Sequence, residues 1–487
     1  MSDRMSKESE WENLLALARD HAVAYRRSLP GRPVAASATV QEIRRALDEG
    51  GPLPHDGRPA HEVLNELVAA AGPGLTAMSG PRFFGWVIGG TLSAALAADW
   101  MTSIWDQNAG TGAGAPAATA FETTALGWVS ELLRLPEDAC GALVTGAMAA
   151  NFVALAAARS HVLEAAGWDV EQQGLFQAPP VRILVGHERH ETIDKAVRLL
   201  GFGKRAMAFV DIDGQGRLSS QALRRELGRS SGPVIVCAQA GNVNSGAFDA
   251  LDEVAAALAE HRRRRGEGDS WLHVDGAFGL WARAAPSLAH LARGAELADS
   301  WATDAHKLLN VPYDCGIALT RHPRAHRRAM AVHAPYLSSG TETAGSNPGA
   351  FAPELSRRAR GFVLWAALRQ LGRQGLDDLV TRCCAHARLL AAKLGEARGL
   401  TVLNDVVFNQ VVVKAQAPQG RDANDWTRQW ALAVQNQGTC YPTPTIWRAC
   451  PALRFSVINA ETTPEDIVRS AAAVIDVYER SLREAPG

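Results

Sequence analysis

Lysine is scarce in this chain: only six of the 50 lysine and arginine residues are lysines. Arginine stays protonated and cannot attack a carbonyl, so any amine chemistry falls to those few lysines. Cysteine is sparse too, with seven scattered residues, no CxxC pair and an odd one left over. That fits reduced thiols better than a disulfide frame or a metal site of the zinc type. No apolar run reaches the roughly 18 residues of a membrane helix, and the N-terminus is charged where a secretory signal needs an apolar core. Neither sign of charge dominates, and a net charge of −1 gives no field to recruit nucleic acid or an anionic membrane. The one basic run, Arg262 to Arg265, suits a solvated helix C-terminus favoured by the macrodipole. Together these shortages predict a cytoplasmic protein with neither nucleic acid nor membrane as partner.

What is present supports a large core. At 487 residues, 47% of them hydrophobic, the chain has material for two domains or one large domain with appendages. Residues 1 to about 80 read as three short helices, with Trp11, Leu14, Leu15 and Leu17, then Val40, Ile43 and Leu47, then Val63, Leu64 and Leu67 on their apolar faces. They carry too little apolar area for a core of their own, which predicts that they lie on another surface, such as a partner subunit. Helices are also expected up to about Trp105 and from Phe121 to Leu133.

Between 141 and 320, short β-branched runs alternate with helical patterns, as a parallel sheet with crossover helices requires. The runs are Ala142 to Val144, Val181 to Val185, Ala208 to Val210, Val234 to Cys237, Trp271 to Val274 and Gly316 to Thr320. Being continuously apolar, they are expected to be buried on both faces. After a glycine-rich loop at 338–349, a long helix is expected from about Leu355 to Leu394, with a break at Gly372 or Gly375. Strands at Val406 to Val413 and Leu453 to Ile458, a helix near 424–437 and a last one from Pro464 make a separate α+β unit. The resulting division is 1–85, a helical N-terminal segment, 86–350, a large domain, and 351–487, a small C-terminal domain.

One lysine stands apart. Lys307 follows His306 in an apolar run between Trp301 and Leu308-Leu309. Alone it suits a snorkelling lysine at a strand end as well as an amine nucleophile. Four other places bear on the choice. Ala142 to Asn151 is a strand, a small-residue turn at Thr145 to Met148 and an alanine-rich helix, which suits an anion at a helix N-terminus. Asp275, in His273-Val274-Asp275-Gly276-Ala277-Phe278-Gly279, ends a strand, where it serves either as a helix cap or as partner to a protonated ring nitrogen with Ala277 against the ring. His190 follows a strand and offers an imidazole to stack on a planar group. Asn242 and Asn244, in Gly241 to Gly246, supply polar groups at another strand end. Ligands of open α/β sheets bind at that edge. Asp275 and Lys307 are 32 residues apart, room for one crossover helix (Ala285 to Leu297) and the next strand. A lysine for an aldehyde, a carboxylate for a ring nitrogen and a helix N-terminus for a phosphate point to pyridoxal 5'-phosphate.

From about Pro81 to Ile475 the chain resembles the group II pyridoxal-phosphate-dependent amino-acid decarboxylases, including the aromatic-L-amino-acid enzymes. The resemblance is carried by His273 to Gly279 and by Asp304-Ala305-His306-Lys307-Leu308-Leu309-Asn310-Val311-Pro312-Tyr313-Asp314-Cys315-Gly316. It implies an α/β, type I aminotransferase-like fold with a mostly parallel seven-stranded sheet. It also implies a homodimer with shared active sites, across which the N-terminal helices pack. By that resemblance Lys307 would carry the cofactor covalently, Asp275 would pair with its ring nitrogen and His190 would stack on the ring. Thr145, Ala147 and Met148 would lie at the phosphate, and His306 beside the lysine.

Two departures accompany the resemblance. Met148 stands where relatives place a serine or threonine, so one phosphate hydrogen bond must come from backbone, Thr145 or a partner chain. Relatives of the aromatic branch protonate the product carbon from a mobile-loop tyrosine, and residues 338–353 hold none; Tyr336 is near but out of alignment. The expected reaction is decarboxylation of an L-amino acid to amine and carbon dioxide. An aldehyde synthase or carbon–carbon lyase is the alternative, with a non-catalytic interaction protein behind both. Phe84 and Trp86, beside Phe83, are candidates for an aromatic side-chain pocket, while Arg82 or Arg454 would suit an acidic substrate.

Overall fold

The computed structural model describes residues 2–47, 51–266, 268–332 and 347–484. Three helices open the chain, α1 (Ser2–Ser28), α2 (Val40–Ala46) and α3 (Ala60–Ala71), followed by α4 (Ser93–Trp105) and α5 (Pro116–Leu132). The large sheet is built from β1 (Cys140–Val144), β2 (Arg182–Gly186), β3 (Met207–Val210), β4 (Val234–Gln239), β5 (Ser270–Asp275), β6 (Ser300–Asp304) and β7 (Gly316–Thr320). Between and after them run α6 (Ala147–Ala165), α7 (Val170–Gln173), α8 (Glu191–Leu199), α9 (Ser220–Gly228), α10 (Leu251–Arg265) and α11 (Pro323–Met330). The strand order is β1-β7-β6-β5-β4-β2-β3, and only β7 runs antiparallel to its neighbours. All six residues of β5 are buried, as are all five of β6. That is the burial on both faces that continuous apolar runs require.

The chain then enters α12 (Arg360–Gly395), β8 (Leu400–Val402), β9 (Gln410–Ala415), α13 (Ala423–Gln437), β10 (Thr443–Trp447), β11 (Cys450–Ser456) and α14 (Pro464–Glu484). The four strands form an antiparallel sheet in the order β10-β11-β9-β8. Helix α12 joins the two cores. Val363, Leu364, Ala367 and Leu368 pack into the core of the large sheet, while Ala387, Leu390 and Leu394 pack under the small one. Gly372, where the helical geometry breaks, lies between these two sets.

Several expected elements differ. The helix expected at Ala285 to Leu297 is two short 3-10 turns, Ala289–Ala292 and Ala295–Leu297, because Pro286 and Gly294, at φ 88°, interrupt it. The strand expected from Val406 begins only at Gln410. Asn404 holds the preceding loop by donating to Ser245 O and Gln410 O and accepting from Val412 N. Strand β10 carries no hairpin signal in the sequence, because its turn to β11 uses Arg448 and Ala449, at φ 52° and 61°, in place of the glycine or asparagine that marks a tight hairpin. The stretch 333–346, which contains Tyr336 and most of the glycine-rich loop, lies outside the described residues.

A buried ion pair ties α5 to β1 and to the segment entering α12. Glu122 and Arg357, 2% and 0% exposed, form two bonds of 2.9 and 3.0 Å. Glu122 also accepts from Leu143 N, and Arg357 donates to Ala109 O and Leu143 O. Removing one partner strands a buried charge. Glu122→Ala is expected to lower folding stability by about 3–5 kcal/mol, measured as the shift in a urea unfolding curve.

Candidate active site

A cavity of about 490 Å3 opens at the C-terminal ends of the central strands. Its walls bring together Thr145, Ala147, Met148, His190, Asp275, Ala277, His306 and Lys307, with Trp86 at the rim. Strand β5 delivers Asp275 as its last residue, and β6 alongside it leads through Asp304 to His306 and Lys307. The backbone locks the two strand ends together: Gly276 N donates to Ala302 O and Asp304 N to Ala277 O.

Asp275 is 7% exposed and has two N–H donors, Asn151 Nδ2 at 3.1 Å and Ala277 N at 3.3 Å. Burial raises its pKa, against the opposing pull of His190, Lys307 and Asn151. No ion pair among the described residues includes it. A cationic ring nitrogen would meet this need.

The carboxylate is positioned by a chain of neutral donors whose directions follow from the network. Trp271 Nε1 donates to Ser300 Oγ at 2.8 Å, and Ser300 Oγ to His273 Nδ1 at 2.9 Å. His273 Nε2 then donates to Asn151 Oδ1 at 2.9 Å, which turns the Asn151 amide toward Asp275 and toward Thr192 Oγ1 at 3.2 Å. Thr192 Oγ1 lies 2.9 Å from His190 Nδ1, whose ring caps α8 and accepts from Thr192 N. Accepting at Nδ1 leaves the proton of His190 on Nε2. Burial lowers the pKa of His190, so the imidazole favours its neutral form.

At the other end, Gly146 caps α6 without a side-chain hydrogen bond. The first intrahelical bond runs from Ala150 N to Gly146 O, so the N–H groups of Ala147, Met148 and Ala149 have no acceptor within the helix. That is the arrangement an anion takes. Lys307 Nζ lies 2.9 Å from Asp304 Oδ2. His306 accepts from Cys315 N at Nδ1 and stacks on Tyr313, ring centroids 4.3 Å apart. Burial lowers the His306 pKa, and burial with Asp304 nearby pushes the Tyr313 hydroxyl up to about 12, so it stays protonated.

Three expected site residues are placed elsewhere. Asn242 is fully buried and holds its own turn, its Oδ1 accepting from Asn244 N and Ser245 N. Asn244 Oδ1 is occupied by Thr445 and Arg454. Phe84 is 1% exposed and packs with Phe455 in the core under the small sheet, because the backbone of Phe84 pairs with Tyr441 and Ser456. Arg82 is likewise structural, bound to Pro30 O, Thr439 O and Asp466. Conversely, Asn151, Thr192, Asp304 and Tyr313 were not singled out as site residues from the sequence. Asp304 and Tyr313 stand within the stretch that contains Lys307, and their residue types are the only signal they carried.

The donor set fits pyridoxal phosphate: an amine, a buried carboxylate in need of a cation, an imidazole lining the same cavity and an uncapped helix N-terminus. Fold and site therefore define the class, a pyridoxal-phosphate enzyme. The pyridoxal-dependent decarboxylase conserved domain matches residues 44–416. The chain belongs to that family, and it is a pyridoxal-phosphate-dependent amino-acid decarboxylase. It is 26% identical over 468 residues to an aromatic-L-amino-acid decarboxylase of Bacillus atrophaeus, covering 93% of this chain and 92% of the relative. It is 28% identical over 460 residues to an L-2,4-diaminobutyrate decarboxylase of Rhizobium meliloti strain 1021, covering 92% and 87%. The fold matches the crystal structure of Oryza sativa TDC with PLP and tryptamine at a TM-score of 0.88, with 23% identity over 97% of this chain and 98% of that one.

Two outcomes test this geometry. Asp275→Asn keeps the shape and removes the charge, and is expected to reduce kcat by about 10²- to 10³-fold while the protein stays folded. His273 is held neutral, its pKa lowered by burial to about 3. On unfolding its imidazole regains an ordinary value near 6.5 and takes up a proton below it. Stability from this group is thus intact above about pH 6.5 and is lost as pH falls from there toward 3, by about 1.4 kcal/mol per unit. In urea titrations between pH 6.5 and 4.5, His273→Gln should show a shallower pH dependence than the parent by that amount.

Proposed function

We propose that the enzyme releases carbon dioxide from an L-amino acid with an aromatic side chain, leaving the corresponding amine. The observation carrying this reading is the placement of Lys307 and Asp275 at one cavity whose lining includes the apolar and aromatic residues Trp86, Val87, Ile88, Phe278 and Tyr313. When bound, the cofactor supplies an electron sink for the pair left as the carboxylate departs. The protein's part is positional. Lys307 would tether the cofactor, Asp275 would keep a proton on its ring nitrogen, and His190 would stack on one face with its own proton at Nε2. Thr145 and the N–H groups of Ala147 and Met148 would hold the phosphate, supplying the donors that Met148 lacks as a side chain. His306, with Nδ1 engaged by Cys315 N, keeps its proton at Nε2 beside the lysine.

A second reading rests on Arg454. Its guanidinium lines the cavity and donates to the backbone carbonyls of Val243 and Trp86 and to the amide carbonyl of Asn244, while its Nε is buried without a partner among the described residues. Burial lowers its pKa to about 10. A cation met only by carbonyls suits a substrate carboxylate, which favours an acidic side chain. The absence of tyrosine from 338–353 keeps an aldehyde-releasing outcome as the third reading.

The reading includes a homodimer in the cytoplasm. Trp11, Leu15, Val63 and Leu67 on the N-terminal helices are 46–66% exposed, as are Ile104 and Trp105 on α4. Such a set favours cover by a second chain. No helix among the described residues is long and apolar enough to cross a membrane.

The test is a substrate panel on cofactor-saturated protein, with carbon dioxide, amine, aldehyde and hydrogen peroxide all quantified. Aromatic amino acids are expected to yield amine and carbon dioxide in equal amounts. Turnover confined to glutamate or aspartate, and lost in Arg454→Met, would transfer the assignment to the acidic class. Aldehyde with peroxide and no amine would sink simple decarboxylation.

A further inference from the structure

Asp304 has no part in the roles assigned so far, yet it holds a central place. It ends β6, is 1% exposed, and its Oδ2 lies 2.9 Å from Lys307 Nζ. Its Oδ1 is buried and has no hydrogen-bond partner among the described residues. That oxygen faces two things. His306 Nε2 is 3.6 Å away, beyond a hydrogen bond. A Cβ built on Gly146, the residue that caps α6, would also lie 3.6 Å from it. The carboxylate therefore stands between the reactive amine and the helix N-terminus whose free N–H groups invite an anion. Two anions cannot share one such turn in a buried place without mutual repulsion, and burial keeps water from screening them.

We propose that Asp304 is the resident anion of this end of the cavity: it holds Lys307 as a counter-ion in the cofactor-free enzyme and opposes the cofactor's phosphate, so capture exchanges one anion for another. A neutral residue at 304 would therefore favour the phosphorylated cofactor, whereas a cofactor without phosphate would gain only from the freed lysine. This proposal rests on the reading that the phosphate lies at the α6 turn, and the experiment separates the two.

The measurement is the dissociation constant of pyridoxal phosphate and of pyridoxal for cofactor-free protein at one ionic strength, read by absorbance titration, with no substrate present. The quantity compared is the advantage that phosphate confers, the ratio of the two constants. In Asp304→Asn, with Asp304→Ser as the second variant, that ratio is expected to rise about tenfold or more. Ala147→Glu places a new carboxylate at the turn and is expected to lower it. Circular dichroism melts identify which variants remain folded. An unchanged or smaller ratio in both Asp304 variants, with a fall in Ala147→Glu, overturns the proposal about Asp304 and leaves the phosphate reading standing. No response to Ala147→Glu overturns the phosphate reading, and the proposal with it.

Discussion

Burying charge at one edge of a sheet is the constraint around which this protein is arranged. Asp275 and Asp304 end adjacent parallel strands, 7% and 1% exposed, where water cannot solvate them. Each carboxylate is handled differently. Asp275 has neutral N–H donors, and the relay from Trp271 through Ser300, His273 and Asn151 leaves the Asn151 amide one orientation. Asp304 has a cation, Lys307, on one oxygen and, among the described residues, no hydrogen bond on the other. Under the proposed function the first arrangement would suit a cationic ring nitrogen, and the second pairs the amine that would tether the cofactor.

The relay also explains why a histidine is buried at zero exposure with no catalytic task. His273 is neutral, and each of its nitrogens has a defined partner. Because both nitrogens are committed, the tautomer, the Asn151 amide and the Thr192 hydroxyl are all set in sequence, and His190 is oriented as a consequence. A network in which every member is satisfied specifies one geometry, whereas a single unsatisfied group would favour alternatives.

A second tie makes the site a product of the whole chain. Asn310, buried and at φ 53°, donates from Nδ2 to Leu308 O and Ile458 O, and its Oδ1 accepts from Gly90 N and Ala460 N. One side chain thus joins the lysine loop to the segment before α4 and to the segment after β11. Gly89 allows this approach, since a Cβ there would fall 2.0 Å from Lys307 O. The lysine is held by contacts from residues roughly 220 before and 150 after Asn310.

Most of the parallel strands, a break at Gly372 or Gly375, and the residues that meet at one cavity, Thr145, Ala147, Met148, His190, Asp275, His306 and Lys307, were legible in the sequence. Continuous apolar runs and isolated polar residues at their ends are local signals. Phe84 was misread because an aromatic near a predicted site looks the same whether it faces a ligand or a core, and only its pairing with Ser456 N turns it inward. Asn242 and Asn244 were misread because a turn-forming asparagine and a ligand-binding one share the same chemistry. By itself, the sequence determined the cofactor chemistry and the parallel sheet, since both follow from residue type and spacing along the chain. Tertiary structure alone decided what surrounds Lys307: Asp304 against its amine, Tyr313 on His306 and Arg454 in the lining of the same cavity, placements whose meaning depends on distance in space.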